Sequence, residues 1–329
     1  MIKLTRRTAL VSAIALAACS PADNKPAAPP PAPPAPPPKP NEGKIAVEGG
    51  NVAWRRFGDG PKTPLLCLHG GPGVASDYLD PLGGLGDERA VYIYDQLGCG
   101  RSERPTDPKL WTIERFVAEL ATVRKELELS EVHLLGQSWG TMLAVEYLLR
   151  NGEAGVKSAV LAGPVMSVSR YAKDTKEMLK ELSPEQRKAV ADAEKSGKFD
   201  APGYLAANDA FSAKHLARSP SPETAPLLEK SMAGINQDIY VLMNGPSEFS
   251  TLGTLKSYER VADLKKLSLP ILFLSGEFDT ATPAAARDYA AAAQHGEAVT
   301  IAGAAHLTTI DQPQATNEAV RAFLHKVEG

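Results

Sequence analysis

Past residue 43 the chain alternates between short apolar runs and longer stretches with an apolar residue every three or four positions. Ile45 to Val47 and Asn51 to Phe57, separated by Gly49-Gly50, read as an opening β-hairpin. Pro64 to Leu68, Ala90 to Asp95, Val132 to Gly136, Lys157 to Ala162, Pro270 to Ser275 and Ala298 to Ile301 read as short strands. Helical spacing relates Ile113, Phe116, Leu120, Val123 and Leu127, with Thr112 as their cap. A second helix opens at Trp139 and runs through Met142, Val145 and Leu148. A last one is expected from Asp311 to Val327, because Asp311 and Gln314 stand at capping-box spacing. Strands alternating with helices of this length predict an α/β protein with a mainly parallel sheet covered on both faces.

Residues 166–255 break the alternation. They are charged, alanine-rich and helix-favouring, with no convincing strand. Lying between two strands of the body, they are expected to form a helical cap over the sheet's C-terminal edge, where open α/β sheets bind ligands. The body is then 44–165 together with 256–329.

The first 43 residues are of another kind. Lys3, Arg6 and Arg7 precede an apolar stretch, Ala9 to Ala18, too short to span a bilayer. Residues 1–19 therefore read as a bacterial export signal. Leu16-Ala17-Ala18-Cys19 resembles a lipobox, with Cys19 as the lipidated residue, and Thr5-Arg6-Arg7 resembles a twin-arginine signal. Residues 20–43 form a linker rich in proline and alanine, expected to be an extended spacer. The expectation is an exported lipoprotein anchored on the periplasmic side of a membrane, or a soluble periplasmic protein if Cys19 is not lipidated.

Across 329 residues the formal charge is -3, with 43% hydrophobic and 23% charged residues. That balance is globular and offers no electrostatic reason for a nucleic-acid partner. Cys67 lies in an apolar run and reads as a small buried hydrophobe. Whether it pairs with Cys99 is left open. No metal-ligand cluster is present, and no cofactor is expected.

The chemistry concentrates after the strands. Gly136-Gln137-Ser138-Trp139-Gly140 follows one apolar run and opens a helix, the setting of a nucleophile elbow. The glycines leave room for a sharp turn, and the helix start turns backbone N–H groups toward the reacting oxygen. His69-Gly70-Gly71-Pro72-Gly73 ends another strand and lets backbone amides approach a carbonyl. The N–H groups of Gly71 and Trp139 are the expected oxyanion donors.

Of six histidines, His306 stands in a loop after the strand ending at Ile301, placed to serve as general base. His69 reads as a loop organiser and His133 as a satisfied core side chain. Asp279, after Pro270 to Ser275, is preferred to Glu277 as the acid that orients the imidazole. The order Ser138, Asp279, His306 is that of the α/β-hydrolases.

Three stretches extend the resemblance: His69 to Gly73, Asp95-Gln96-Leu97-Gly98-Cys99-Gly100-Arg101-Ser102, and Gly136 to Gly140. With Gly245-Pro246-Ser247-Glu248-Phe249 and Gly253, residues 44–329 resemble the proline iminopeptidase family of α/β-hydrolases. The resemblance implies metal-free release of an N-terminal residue, often proline, from short peptides or amino-acid amides. It also implies that Glu248 binds the substrate's free α-amino group. Thr280 stands where one branch of that family has a second acidic residue, and Leu97 where arginine is common.

Two other functions share the same residues. A tethered carboxylesterase or amidase would use the triad without requiring a free amine. A non-catalytic envelope binding protein would have no physical need for triad and oxyanion loops together.

Overall fold

The computed structural model describes residues 41–329. The expected export signal, Cys19 and the linker up to residue 40 lie outside the described residues. Strand β1 (Asn41–Val47) already occupies the end of the stretch expected as linker.

β1 pairs antiparallel with β2 (Gly50–Leu68), forming the opening hairpin. The two strands read separately at Asn51 to Phe57 and Pro64 to Leu68 are one long strand with irregular register. Trp54 to Phe57 face Tyr94 back to Val91 of β3 (Arg89–Tyr94), while Leu65 to Leu68 face Val91 forward to Tyr94. β3 thus lies against both arms of β2. Gly58 makes this possible: its φ is +66°, and a Cβ there would stand 2.0 Å from the Gly86 carbonyl oxygen.

From the second arm the sheet continues in parallel through β4 (Val132–Gln137), β5 (Val156–Ala162), β6 (Ile271–Gly276) and β7 (Gly296–Ile301). Every residue of β4 and β6 is buried, which explains their continuous apolar runs. Helices α1 (Ile113–Glu126), α2 (Trp139–Asn151) and α8 (Pro283–Ala292) pack into the cluster that includes Leu66, Leu134 and Phe273. The opposite face buries Leu65, Leu135 and Leu272 with Phe323 and Leu324.

The last helix departs from expectation. Asp311 ends a short α9 (Thr308–Asp311), and Gln312 precedes α10 (Pro313–Glu328) without a side-chain cap. Pro313 is suited to the first helical position because its missing N–H has no intrahelical partner there. Asp311 instead accepts the backbone N–H groups of Ala305, Arg218 and Ser219.

Between β5 and β6 the chain forms α3 (Val168–Met178), α4 (Pro184–Ser196), α5 (Pro202–His215), α6 (Ala225–Ala233) and α7 (Gln237–Met243). Local signals set several ends: Ser183 and Gln186 form a capping box on α4, and Gly197 closes it in the left-handed region. Tyr204, Phe211 and Phe249 meet edge to face in a small core of their own. Burying each such ring contributes about 1.5–3 kcal/mol.

Candidate active site

Ser138, between β4 and α2, holds φ +53° and ψ −120°. An L-residue is strained there and persists only when its surroundings hold it. They do so by close packing: a Cβ on Gly136 would stand 2.2 Å from the Gly140 carbonyl oxygen. One on Gly140 would stand 2.1 Å from that of Leu68. The Ser138 N–H donates to Ala162, tying the turn to β5.

His306 and Asp279 come together from the loops after β7 and β6. The imidazole Nδ1 lies 2.6 Å from Asp279 Oδ1 with both side chains buried. A carboxylate only accepts, so Nδ1 carries the proton and Nε2 offers its lone pair. Nε2 is buried with no protein partner, and His306 lines the same cavity as Ser138. No hydrogen bond joins Ser138 to Nε2 here, a looseness usual before substrate binds. Asp279 also accepts the N–H groups of Ala281 at 2.7 Å and Gly276 at 3.2 Å, which fixes its orientation. Burial alone would lower the affinity of His306 for a proton. The Asp279 charge and hydrogen bond, with Glu248 farther off, reverse this and hold its pKa above the ordinary imidazole value.

Gly71 and Trp139 flank Ser138 in a second, smaller cavity of about 20 Å³. Trp139 is the first residue of α2, where N–H groups have no intrahelical acceptor. Its indole N–H donates to Gln96 Oε1, and the Gln96 N–H donates to His69 Nε2. His69 Nδ1 meets the Gly70 carbonyl at 2.9 Å, so this histidine is consumed in holding the glycine loop. Gln137 braces the same loop: Tyr78 donates to its Oε1, while the Gly70 N–H donates to Tyr78. His133 is satisfied by Ser158 and Glu328. Cys67 and Cys99 are free and buried.

Glu248 enters from the loop after α7 and lines both cavities. Tyr171 donates to its Oε2 at 2.5 Å and Tyr240 to its Oε1 at 2.6 Å, so the carboxylate is held by one hydroxyl on each oxygen. Burial first, then the Glu248 charge, keeps both phenols well above their ordinary pKa, protonated and able to donate. The Thr280 hydroxyl lies 3.5 Å from Asp279 Oδ1.

Sequence reasoning did not single out Tyr171, Tyr240 or the bracing role of Asp311. Tyr171 is 77 positions from Glu248 and has no motif around it. Tyr240 is only eight positions away, but a helix end and a turn lie between them. The spacing of Asp311 and Gln314 pointed to a different task.

A family model described as alpha/beta hydrolase fold matches residues 63–313. A proline iminopeptidase of Heyndrickxia coagulans is 38% identical over 287 residues, which is 87% of this chain and 99% of that protein. That of Levilactobacillus brevis is 39% identical over 266 residues, covering 80% of this chain and 89% of the other. Among solved structures, a proline iminopeptidase of Mycobacterium smegmatis aligns with TM-score 0.77 at 29% identity. The alignment covers 87% of this chain and 98% of that one.

Proposed function

The chain belongs to the proline iminopeptidase family of α/β-hydrolases, and from that premise we propose a serine aminopeptidase. It releases N-terminal proline, or another small apolar residue, from short peptides or amino-acid amides. The observation that carries this is the Glu248 carboxylate, held by two tyrosines in the cavities that also contain Ser138. A carboxylate there pairs with a free ammonium, which confines cleavage to the chain end. The smaller cavity, with Met142, Val165 and Leu255 in its wall, suits a small apolar side chain.

His306 Nε2 takes the Ser138 hydroxyl proton as Oγ attacks the scissile carbonyl. The Gly71 and Trp139 N–H groups receive the oxyanion, each contributing about 3 kcal/mol to the transition state. The imidazolium, steadied by Asp279, protonates the leaving amine. Water then attacks the acyl-enzyme by the same proton route in reverse, and Ser138 regains its proton.

The proposal includes a membrane site of action. Its support is the sequence alone: a lipobox-like Leu16 to Cys19 and a proline-rich spacer ahead of the body. As an extended spacer at about 3.1 Å per residue, the fifteen residues of Pro26 to Pro40 could hold the body roughly 45 Å from such an anchor.

Amino-acid naphthylamides, each with free and acetylated amine, test the enzyme. Turnover confined to free amines, and lowered by ~10⁶ in Ser138→Ala, is expected. Equal turnover of acetylated compounds would replace the aminopeptidase by an esterase or amidase. Membrane fractionation unchanged by Cys19→Ser would remove the anchor.

A further inference from the structure

We infer that the leaving-group side of this site selects uncharged, apolar leaving amines and discriminates against free dipeptides. The inference rests on the aminopeptidase function proposed above.

The larger cavity measures about 160 Å³ and extends from Ser138 and His306 to the cap. That is close to the roughly 150 Å³ apolar cavity known to accept a benzene-sized ring. Leu228, Met232 and Ile235 supply its apolar wall, while Asn208, Ser212 and Gln237 supply neutral polar groups. Among the described residues that line it, none is lysine or arginine. Arg104 donates to the carbonyls of Gly234 and Ile235 but does not line the cavity. The one carboxylate in the lining is Glu248, already assigned to the substrate's ammonium.

A dipeptide must place its second carboxylate in this space. The carboxyl carbon is two bonds from the scissile nitrogen, at most about 3 Å away. That short reach keeps the anion close to the reaction centre, in a lining with no lysine or arginine to pair it, where an unpaired charge is costly. Amidation removes the charge, and each added residue carries it about 3.8 Å farther along the chain. Neutral Asn208, Ser212 and Gln237 can satisfy an amide as readily as a carboxylate. The favoured substrates are therefore longer peptides, peptide amides and arylamides with an apolar second residue.

The test compares kcat/KM for Pro-Leu, Pro-Leu-amide and Pro-Leu-Gly-Gly, with proline naphthylamide as reference. Both neutralised or extended substrates should exceed Pro-Leu by about tenfold or more, the scale set by an unmatched polar group in a fitted site. Met232 is 49% exposed, so a longer charged side chain is accommodated there. Met232→Lys should raise Pro-Leu cleavage and shrink the preference for its amide. Equal rates on Pro-Leu and Pro-Leu-amide would overturn the inference while leaving the aminopeptidase standing. So would an unchanged ratio in folded Met232→Lys. Failure of the wild type to cleave proline naphthylamide would overturn both.

Discussion

The backbone N–H of His306 donates to the carbonyl of His215, the last residue of α5, at 3.1 Å. The next residues repeat the contact, Leu307 donating to Leu216 at 2.8 Å. The His215 side chain reaches the other catalytic loop, its Nδ1 lying 3.0 Å from the Phe278 carbonyl beside Asp279. One cap residue therefore spans the loops of both base and acid. In His215→Ala the Phe278 carbonyl loses its donor, a loss of about 1–3 kcal/mol. We expect kcat to fall more than KM rises, with partial recovery in His215→Gln. A lowered melting temperature with unchanged kcat in the folded enzyme would mean that the strut serves stability alone.

The proton affinity of His306 makes activity depend on pH. Catalysis needs a neutral imidazole, and its pKa lies above 6.5, so the acid limb should have its midpoint above that value. Labelling of Ser138 by a phosphonate, followed against pH, reads this without a substrate amine. Glu248→Gln removes a charge that favours the imidazolium and should move the midpoint to lower pH. Stability runs the opposite way. A raised folded pKa contributes fully below the unfolded value of 6.5 and is lost as pH rises through the folded one. The contribution of the ion pair to thermal stability should therefore fade over the range where activity appears.

Tyr171 and Tyr240 should matter through Glu248. Each phenylalanine variant leaves one carboxylate oxygen without its donor. The expected loss is about 1 kcal/mol, roughly fivefold in kcat/KM on free-amine substrates. Labelling by an amine-free phosphonate should stay near the wild-type rate. Equal loss in both assays would place the tyrosines in general architecture instead.

Gly163, at the end of β5, sets the position of the imidazole. Its φ is +58°, and a Cβ would stand 2.7 Å from His306 Cε1 and 2.8 Å from Nδ1. Gly163→Ala should displace the ring, and a shift of about 1 Å can cost ~10²-fold in rate. Circular dichroism should show a folded protein with low kcat. Wild-type kcat would mean that β5 yields instead of the ring.

The loops carrying Ser138 and Asp279 were legible because each follows a continuous apolar run that ends in a turn, and that of His306 because it lies between a short strand and the last helix. Buried parallel strands need such runs, as β4 and β6 show. Long-range contacts were not legible. β2 looked like two strands because Gly58 to Pro61 carries turn residues, yet β3 pairs on both sides of the interruption. Asp311 has the spacing of a cap, but acceptance of three N–H groups from two other loops outweighs a single capping bond. The hydroxyls around Glu248 are brought in by cap packing, which leaves no periodic trace. The leader at Cys19 lies outside the described residues, so it stands on sequence alone.

The cap has a consequence for access. Ser138 lies beneath α5, α6 and α7, and Glu248 is contributed by the roof itself. An internal loop of a folded protein has no free ammonium to offer Glu248 and would have to thread that roof as a double strand. Architecture alone thereby keeps the nucleophile from the internal loops of folded neighbours.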